Sequence, residues 1–194
     1  MRELEFKKYH ILNDLAEKNG IVVLGSGADK QIPIGELRQA FEINEKIYNR
    51  SFENLSLKEA ELVYDQCVSE LEPETILVHI GESDLEFFKE NPAKFDALYC
   101  GFLKKMKADN KKCHIVVVSL KNYENNSVMT ELNRHLQFIA ESERCEYADI
   151  SGKRLWNPKS TKEAVAFVYS LGFVRPLKNK RPTYDLIKVL FYTI

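Results

Sequence analysis

Three short stretches of this chain carry residue types that could do acyl chemistry. Gly25-Ser26-Gly27-Ala28-Asp29-Lys30 sets a serine between two glycines. Asn49-Arg50-Ser51 groups an amide, a guanidinium and a hydroxyl. Gly81-Glu82-Ser83-Asp84 sets a further hydroxyl between two carboxylates. A serine attacks a carbonyl when a base takes its proton, and backbone N–H groups and short polar side chains around it hold the oxyanion that forms. Arg50 suits a carboxylate or phosphate, and an even alternative is that it pairs with Asp84 or Glu82. Asp84 itself reads equally as a ligand contact or as an acceptor for loop N–H groups. Of His10, His79, His114 and His135, only His79 stands near one of the stretches, two residues before Gly81. A histidine inside a strand is more often a hydrogen-bonded core residue, and His79 is read that way.

A different chemistry competes for the first stretch. Gly25-x-Gly27 opens a dinucleotide-binding pattern, but Lys30 stands where its third glycine belongs and Pro33 interrupts the helix that would receive the pyrophosphate. The second strand also ends in Asn49-Arg50 rather than an acid. A glycine-permitted turn accounts for the stretch better. Cys67, Cys100, Cys113 and Cys145 are widely spaced without a C-x-x-C pair, which argues against a zinc site or disulfide framework and fits a reducing, cytoplasmic setting. No cofactor and no metal are expected.

The elements that must position these residues alternate. Strand-like runs fall at Ile21–Leu24, Lys46–Asn49, Thr75–Ile80 and His114–Val118, with a weaker fifth at Glu146–Asp149. Three are nearly continuous apolar, as strands buried on both faces should be. Helical patterns lie between them. Ser56 and Glu59 have capping-box spacing before Ala60, Val63, Tyr64, Cys67, Val68 and Leu71. Asn91-Pro92 opens a helix with Phe95, Leu98, Tyr99, Phe102 and Met106 on one stripe, and Met129, Leu132, Leu136 and Ile139 mark another. Ser160 and Glu163 suggest one more helix ending at Gly172, and Pro182 could start the last. This βαβ alternation predicts right-handed crossovers and a three-layer α/β/α sandwich around a mainly parallel, five-stranded, flavodoxin-like sheet, with functional loops at the strand C-termini.

Composition sets the outer bounds. The 194 residues suit one domain, 1–194, and a chain of this length buries enough surface to need no metal or disulfide staple. With 28 Lys plus Arg against 29 Asp plus Glu, net charge −1, it is not a globally basic nucleic-acid binder. No window approaches the ~18 apolar residues of a membrane-spanning helix, and the N-terminus lacks a signal-peptide core. Neither a nucleic-acid nor a membrane partner is expected.

Strand, G-S-G, Ile32-Pro33-Ile34-Gly35-Glu36-Leu37, strand, Y-N-R, helix, strand and I-G-x-x-D-L follow in this order. Taken together they resemble the SGNH (GDSL-type) ester hydrolases over about residues 20 to 150, and in the last helix. The resemblance implies a serine nucleophile after the first strand and a histidine base near the C-terminus, oriented by an aspartate three residues earlier. It also implies an oxyanion hole made of the serine's N–H, a glycine N–H after the second strand and an asparagine after the third.

This chain departs from that pattern at each role. Aligning I-P-I without a gap puts Gly27 at the nucleophile and Ser26 at the acidic position before it. Ser51 replaces the oxyanion glycine, keeping a backbone N–H that could donate, and Ser83 replaces the asparagine. His135 is the last histidine, so no Asp-x-x-His exists near the C-terminus, where Ser170-Leu171-Gly172-Phe173 stands instead. Losing a triad serine or histidine costs about 10⁶ in turnover. The expectation is a catalytically degenerate SGNH-like protein whose cleft binds a small-molecule, acyl-ester or glycan-like ligand through Asn49, Arg50 and Asp84. Two alternatives stand beside it: an active esterase using Ser26 with a non-standard base, and an interaction module whose cleft is filled by Phe52, Phe173 or Glu82. The basic run Arg175–Arg181 reads as a solvated loop, with an anion-binding rim as its functional alternative.

Overall fold

A computed structural model describes residues 2–122, 126–151, 187, 190 and 191. Its centre is a parallel sheet of β1 (Ile21–Gly25), β2 (Ile47–Asn49), β3 (Thr75–His79), β4 (His114–Val118) and β5 (Glu146–Ala148), in the order β2-β1-β3-β4-β5. That order is the flavodoxin-like one, with its reversal of direction between β1 and β3. β1 and β3 are buried at every position, as strands covered on both faces must be. Their register sets Ile21 beside Thr75 and Gly25 beside His79.

Side-chain alternation sorts the sheet into two apolar layers. Val22, Leu24, Ile76, Val78, Ile80 and Val117 pack under α3 (Leu57–Val63), α5 (Pro92–Asp109) and α6 (Ser127–Ser142). Ile21, Val23, Leu77, Val116 and Val118 face the other way, against Leu37 of α2 (Ile34–Ala40) and Ile187, Leu190 and Phe191. A helical layer on each face makes the three-layer α/β/α sandwich expected from the alternation.

The helix starts follow local chemistry. Pro92 is the first residue of α5, and Asn91 Oδ1 accepts the Lys94 N–H at 3.1 Å. Asn126 Oδ1 caps α6 by accepting from Val128 and Met129. Ser56 departs from its expected role: its hydroxyl donates to the Glu59 carboxylate at 2.8 Å and caps no backbone N–H. After α3 the chain widens into a π turn over Tyr64–Val68 and tightens into a 3₁₀ turn over Ser69–Leu71.

Two helices carry little sequence signal. α1 (Arg2–Asp14) buries Tyr9 and Asn13 and leans Phe6 on the core, while Leu4 and Ile11 point outward, so apolar residues fall on both sides of it. α4 (Leu85–Glu90) is a short continuation of the turn after β3. The expected helices beginning at Ser160 and Pro182, and the basic run 175–181, lie outside the described residues apart from Ile187, Leu190 and Phe191. Among the described residues no helix is long and apolar enough to cross a membrane.

Candidate functional site at the strand ends

The three candidate loops converge where β1, β2 and β3 end. Ser26 makes an isolated parallel bridge with Phe52, and Arg50 N–H donates to Val23 O at 2.8 Å, which carries the second loop along β1. Phe52 is fully buried against Phe6 and Tyr9 of α1, at ring distances of 5.6 and 5.3 Å, and so forms the floor beneath the loops.

Every polar group of Ser26 is engaged. Its Oγ accepts the Leu55 N–H at 3.0 Å and lies 3.2 Å from Ser83 Oγ, while its N–H donates to Asp29 Oδ2 at 3.2 Å. These partners place the hydroxyl on the α3 face of the sheet. Gly27 follows at φ +57°, in the left-handed region that glycine adopts without strain. A Cβ on Gly27 would stand 3.5 Å from Glu82 Oε2, so a carboxylate lies next to the motif's nucleophile position.

The second loop is tied inward. Asn49 Nδ2 donates to Asp29 O at 2.7 Å, and Asn49 Oδ1 accepts the Ser51 N–H at 3.0 Å. That N–H, expected to stay available for an oxyanion, is therefore spent inside its own loop. The Ser51 hydroxyl is buried and accepts the Gly25 N–H at 3.0 Å.

His79 is the core histidine expected from its strand position, with a partner the sequence did not announce. Its Nδ1–H donates to Asp29 Oδ2 at 2.6 Å, with the two side chains only 7% and 2% exposed. Its ring meets Phe191 edge-on at 4.9 Å, and among the described residues Nε2 is buried without a hydrogen-bond partner. Phe191 belongs to the layer opposite the one that holds Ser26, so His79 and the Ser26 hydroxyl face opposite sides of the sheet. The signal for Asp29 was available: Ser26-x-x-Asp29 has the spacing at which a side chain reaches back to the N–H three residues earlier.

Arg50 pairs with neither Asp84 nor Glu82. Nε and Nη2 both donate to Asn13 Oδ1, at 3.2 and 2.7 Å, and Nη1 donates to Asn49 O at 2.9 Å. The guanidinium lies over the Tyr9 ring at 4.8 Å and near Tyr48 at 5.7 Å, an arrangement that suits a cation with no carboxylate partner among the described residues. Neither Asn13 nor Tyr9 was singled out in the sequence, because α1 itself was not.

Asp84 accepts the Leu57 N–H at 2.8 Å and is buried. Burial raises its pKa, and the Leu57 bond pulls against that rise. A carboxyl whose pKa is higher folded than unfolded adds stability at acid pH that is lost as pH climbs through the folded value. Asp84→Asn keeps an acceptor for Leu57 and removes the charge. It should leave the protein as stable at pH 7 as the wild type, or up to about 1 kcal/mol more stable. Its stability should also decline less than the wild type's between about pH 4 and pH 7. Urea unfolding at both pH values checks this, and a loss above about 2 kcal/mol at pH 7 would mean that the charge itself is needed.

The remaining histidines are peripheral, on Glu70, Glu146 and Asp96 for His10, His114 and His135 respectively. The free thiols of Cys67 and Cys113 are pushed up to about 12 by burial, which makes them inert at neutral pH. Among the described residues no group of His, Cys, Asp or Glu is placed to hold a metal ion.

A 2-1-3-4-5 parallel sheet with its loops gathered beyond β1, β2 and β3 is the fold of the GDSL-like, or SGNH, hydrolases, and solved structures bear this out. A Streptococcus pneumonia protein provisionally described as a platelet activating factor matches at a TM-score of 0.68 and 17% identity, covering 88% of this chain and 90% of its own. A variant of a Geobacillus acetyl-xylooligosaccharide esterase matches at 0.59 and 13%, covering 84% and 99%. A GDSL-like lipase from Bacteroides thetaiotaomicron matches at 0.59 and 14%, covering 74% and 77%. At these identities the likeness is one of fold. No protein-family model matches the sequence, and neither does any curated protein.

Proposed function

We propose that this protein is a catalytically degenerate member of the SGNH fold class that binds a ligand at its strand ends without hydrolysing an ester. The observation that carries this reading is that the Ser26 hydroxyl bonds to Leu55 N–H and Ser83 while the His79 ring bonds to Asp29 and packs on Phe191, so the hydroxyl and the imidazole do not meet. The motif's nucleophile position is Gly27, so Ser26 is the hydroxyl left at that turn. The histidine nearest to it in the fold is on the other face, tied to Asp29. No histidine follows His135 in the sequence, so none can arrive from the C-terminal part.

Electrostatics point the same way. An oxyanion hole needs N–H donors aimed at the developing charge. Here Ser51 N–H serves Asn49, and the Glu82 carboxylate beside Gly27 would repel an oxyanion. Exposed Ser83 and Glu82 leave hydroxyl and carboxylate groups for a polar ligand, and the acetyl-xylooligosaccharide esterase among the structural neighbours makes a glycan ester the first class to test.

One observation favours the alternative of an active esterase with an unusual base. Lys121, just after β4, has its pKa lowered by burial, with Asp29 and Glu82 opposing that shift, and a lysine base needs such a lowered pKa. A fluorophosphonate probe separates the two. Incubated beside an active GDSL-like esterase, this protein should show no adduct by intact mass. A stoichiometric adduct mapped to Ser26 or Ser83 would overturn the degenerate reading and make Lys121→Met the next variant.

A further inference from the structure

The outer face of α1 carries an apolar stripe that the fold does not bury. Leu4 and Ile11 on the helix, and Leu15 in the turn that closes it, are 75%, 63% and 80% exposed, and Leu12 beside them is exposed as well. Single exposed leucines are ordinary. Here four of the seven large apolar side chains that stand exposed among the described residues fall between positions 4 and 15. Such a concentration marks a contact surface. Helical spacing puts positions 4, 8, 11 and 15 in one row, opposite the row of Phe6, Tyr9 and Asn13 that faces the core.

The charges in and beside this row choose what can cover it. Exposed Lys8 interrupts the row at its middle, so a purely apolar partner surface would bury an unpaired ammonium. A second α1 laid parallel would set Lys8 against the partner's Lys8. Laid antiparallel about a twofold axis, it sets Leu4 against the partner's Leu15 and Lys8 against the partner's Ile11. The lysine stem then packs on isoleucine while its head reaches water, and one polar residue in the seam fixes the register. The same register brings Lys7 opposite the partner's Asp14, twice by symmetry. Asp14 is exposed with no ion-pair partner among the described residues, and Lys7 meets only the exposed Glu3 of its own helix, at 3.1 Å.

We infer that this protein self-associates through α1, two copies pairing as antiparallel helices over the Leu4–Ile11–Leu15 row with Lys7 and Asp14 joined across the twofold axis. One helix face per subunit lies at the small end of protein interfaces, so the dimer is weak, with a Kd of about 10–100 µM.

Sedimentation velocity of the full chain between about 5 and 200 µM tests this, with a monomer–dimer equilibrium expected. Ile11→Glu should leave the chain monomeric throughout. Asp14→Lys sets two ammonium groups together at each end of the pair and should weaken the dimer about tenfold. Adding Lys7→Glu exchanges the two charges and should restore it to within about threefold. All three positions are exposed, so the variants keep the fold. A wild type that stays monomeric would overturn the proposal, and its co-sedimentation with anionic lipid vesicles would then assign the face to a membrane surface. A dimer that Ile11→Glu leaves intact, or a charge exchange that restores nothing, would overturn it too.

Discussion

Asp29→Ala is expected to cost about 3–5 kcal/mol of folding stability, a large share of what a domain this size possesses. Asp29 is 1% exposed, and its carboxylate accepts from both the His79 ring and the Ser26 backbone. Removing it leaves His79 with both ring nitrogens unpaired against Phe191, and it frees the N–H that starts the 3₁₀ turn Gly27–Gln31. Asp29→Asn preserves the shape and one acceptor, so it should cost roughly half as much. Urea unfolding gives both values directly, and the alanine variant should melt about 10 °C lower. A loss below about 1 kcal/mol would show that water replaces the pair with little penalty, and that the site is more open than its burial implies.

What the sequence disclosed and what it withheld divide along a physical line. The five strands were legible because Ile21–Leu24, Thr75–Ile80 and His114–Val118 are apolar on both faces, which in a chain with helical patterns between the runs leaves only a covered parallel sheet. α5 and α6 were legible for the same kind of reason: a single apolar stripe, which in α5 follows an Asn-Pro start. α1 was not, since Leu4 and Ile11 face solvent while Tyr9 and Asn13 face inward, and no one-sided pattern survives that mixture. With α1 unseen, the Asn13 and Tyr9 partners of Arg50 could not be found, and the carboxylates of the turn after the third strand stood in for them. Likewise the loop motifs gave the places of Ser26, Ser51 and Ser83, but not the direction of their hydrogen bonds. Whether an N–H points at a ligand or at its own loop depends on a few degrees of backbone rotation that residue types do not encode.

Gly25→Ala should be nearly as damaging as losing Asp29, and for the same cause. A Cβ on Gly25 would stand 2.1 Å from Asp29 Oδ2 and 2.8 Å from its Cγ, far inside contact distance. The neighbour cannot simply give way, because that carboxylate is anchored to His79 on one side and to Ser26 N–H on the other. Nor can the strand retreat: Gly25 N–H donates to Ser51 Oγ at 3.0 Å, and Gly25 O accepts the Phe52 N–H at 3.1 Å. The substitution must expel the carboxylate or break the junction of the two loops, at about 3–5 kcal/mol. Asp29→Ala keeps the Cβ of that residue, which would still stand 2.9 Å away, so in that background the same substitution should cost about half as much, giving a coupling of about 2 kcal/mol in a double-mutant cycle. Equal costs in the two backgrounds would place the obstacle elsewhere. Strong coupling would mean that this glycine makes room for a buried Asp–His pair, so that its presence follows from the fold's own packing and requires no hydrolysis.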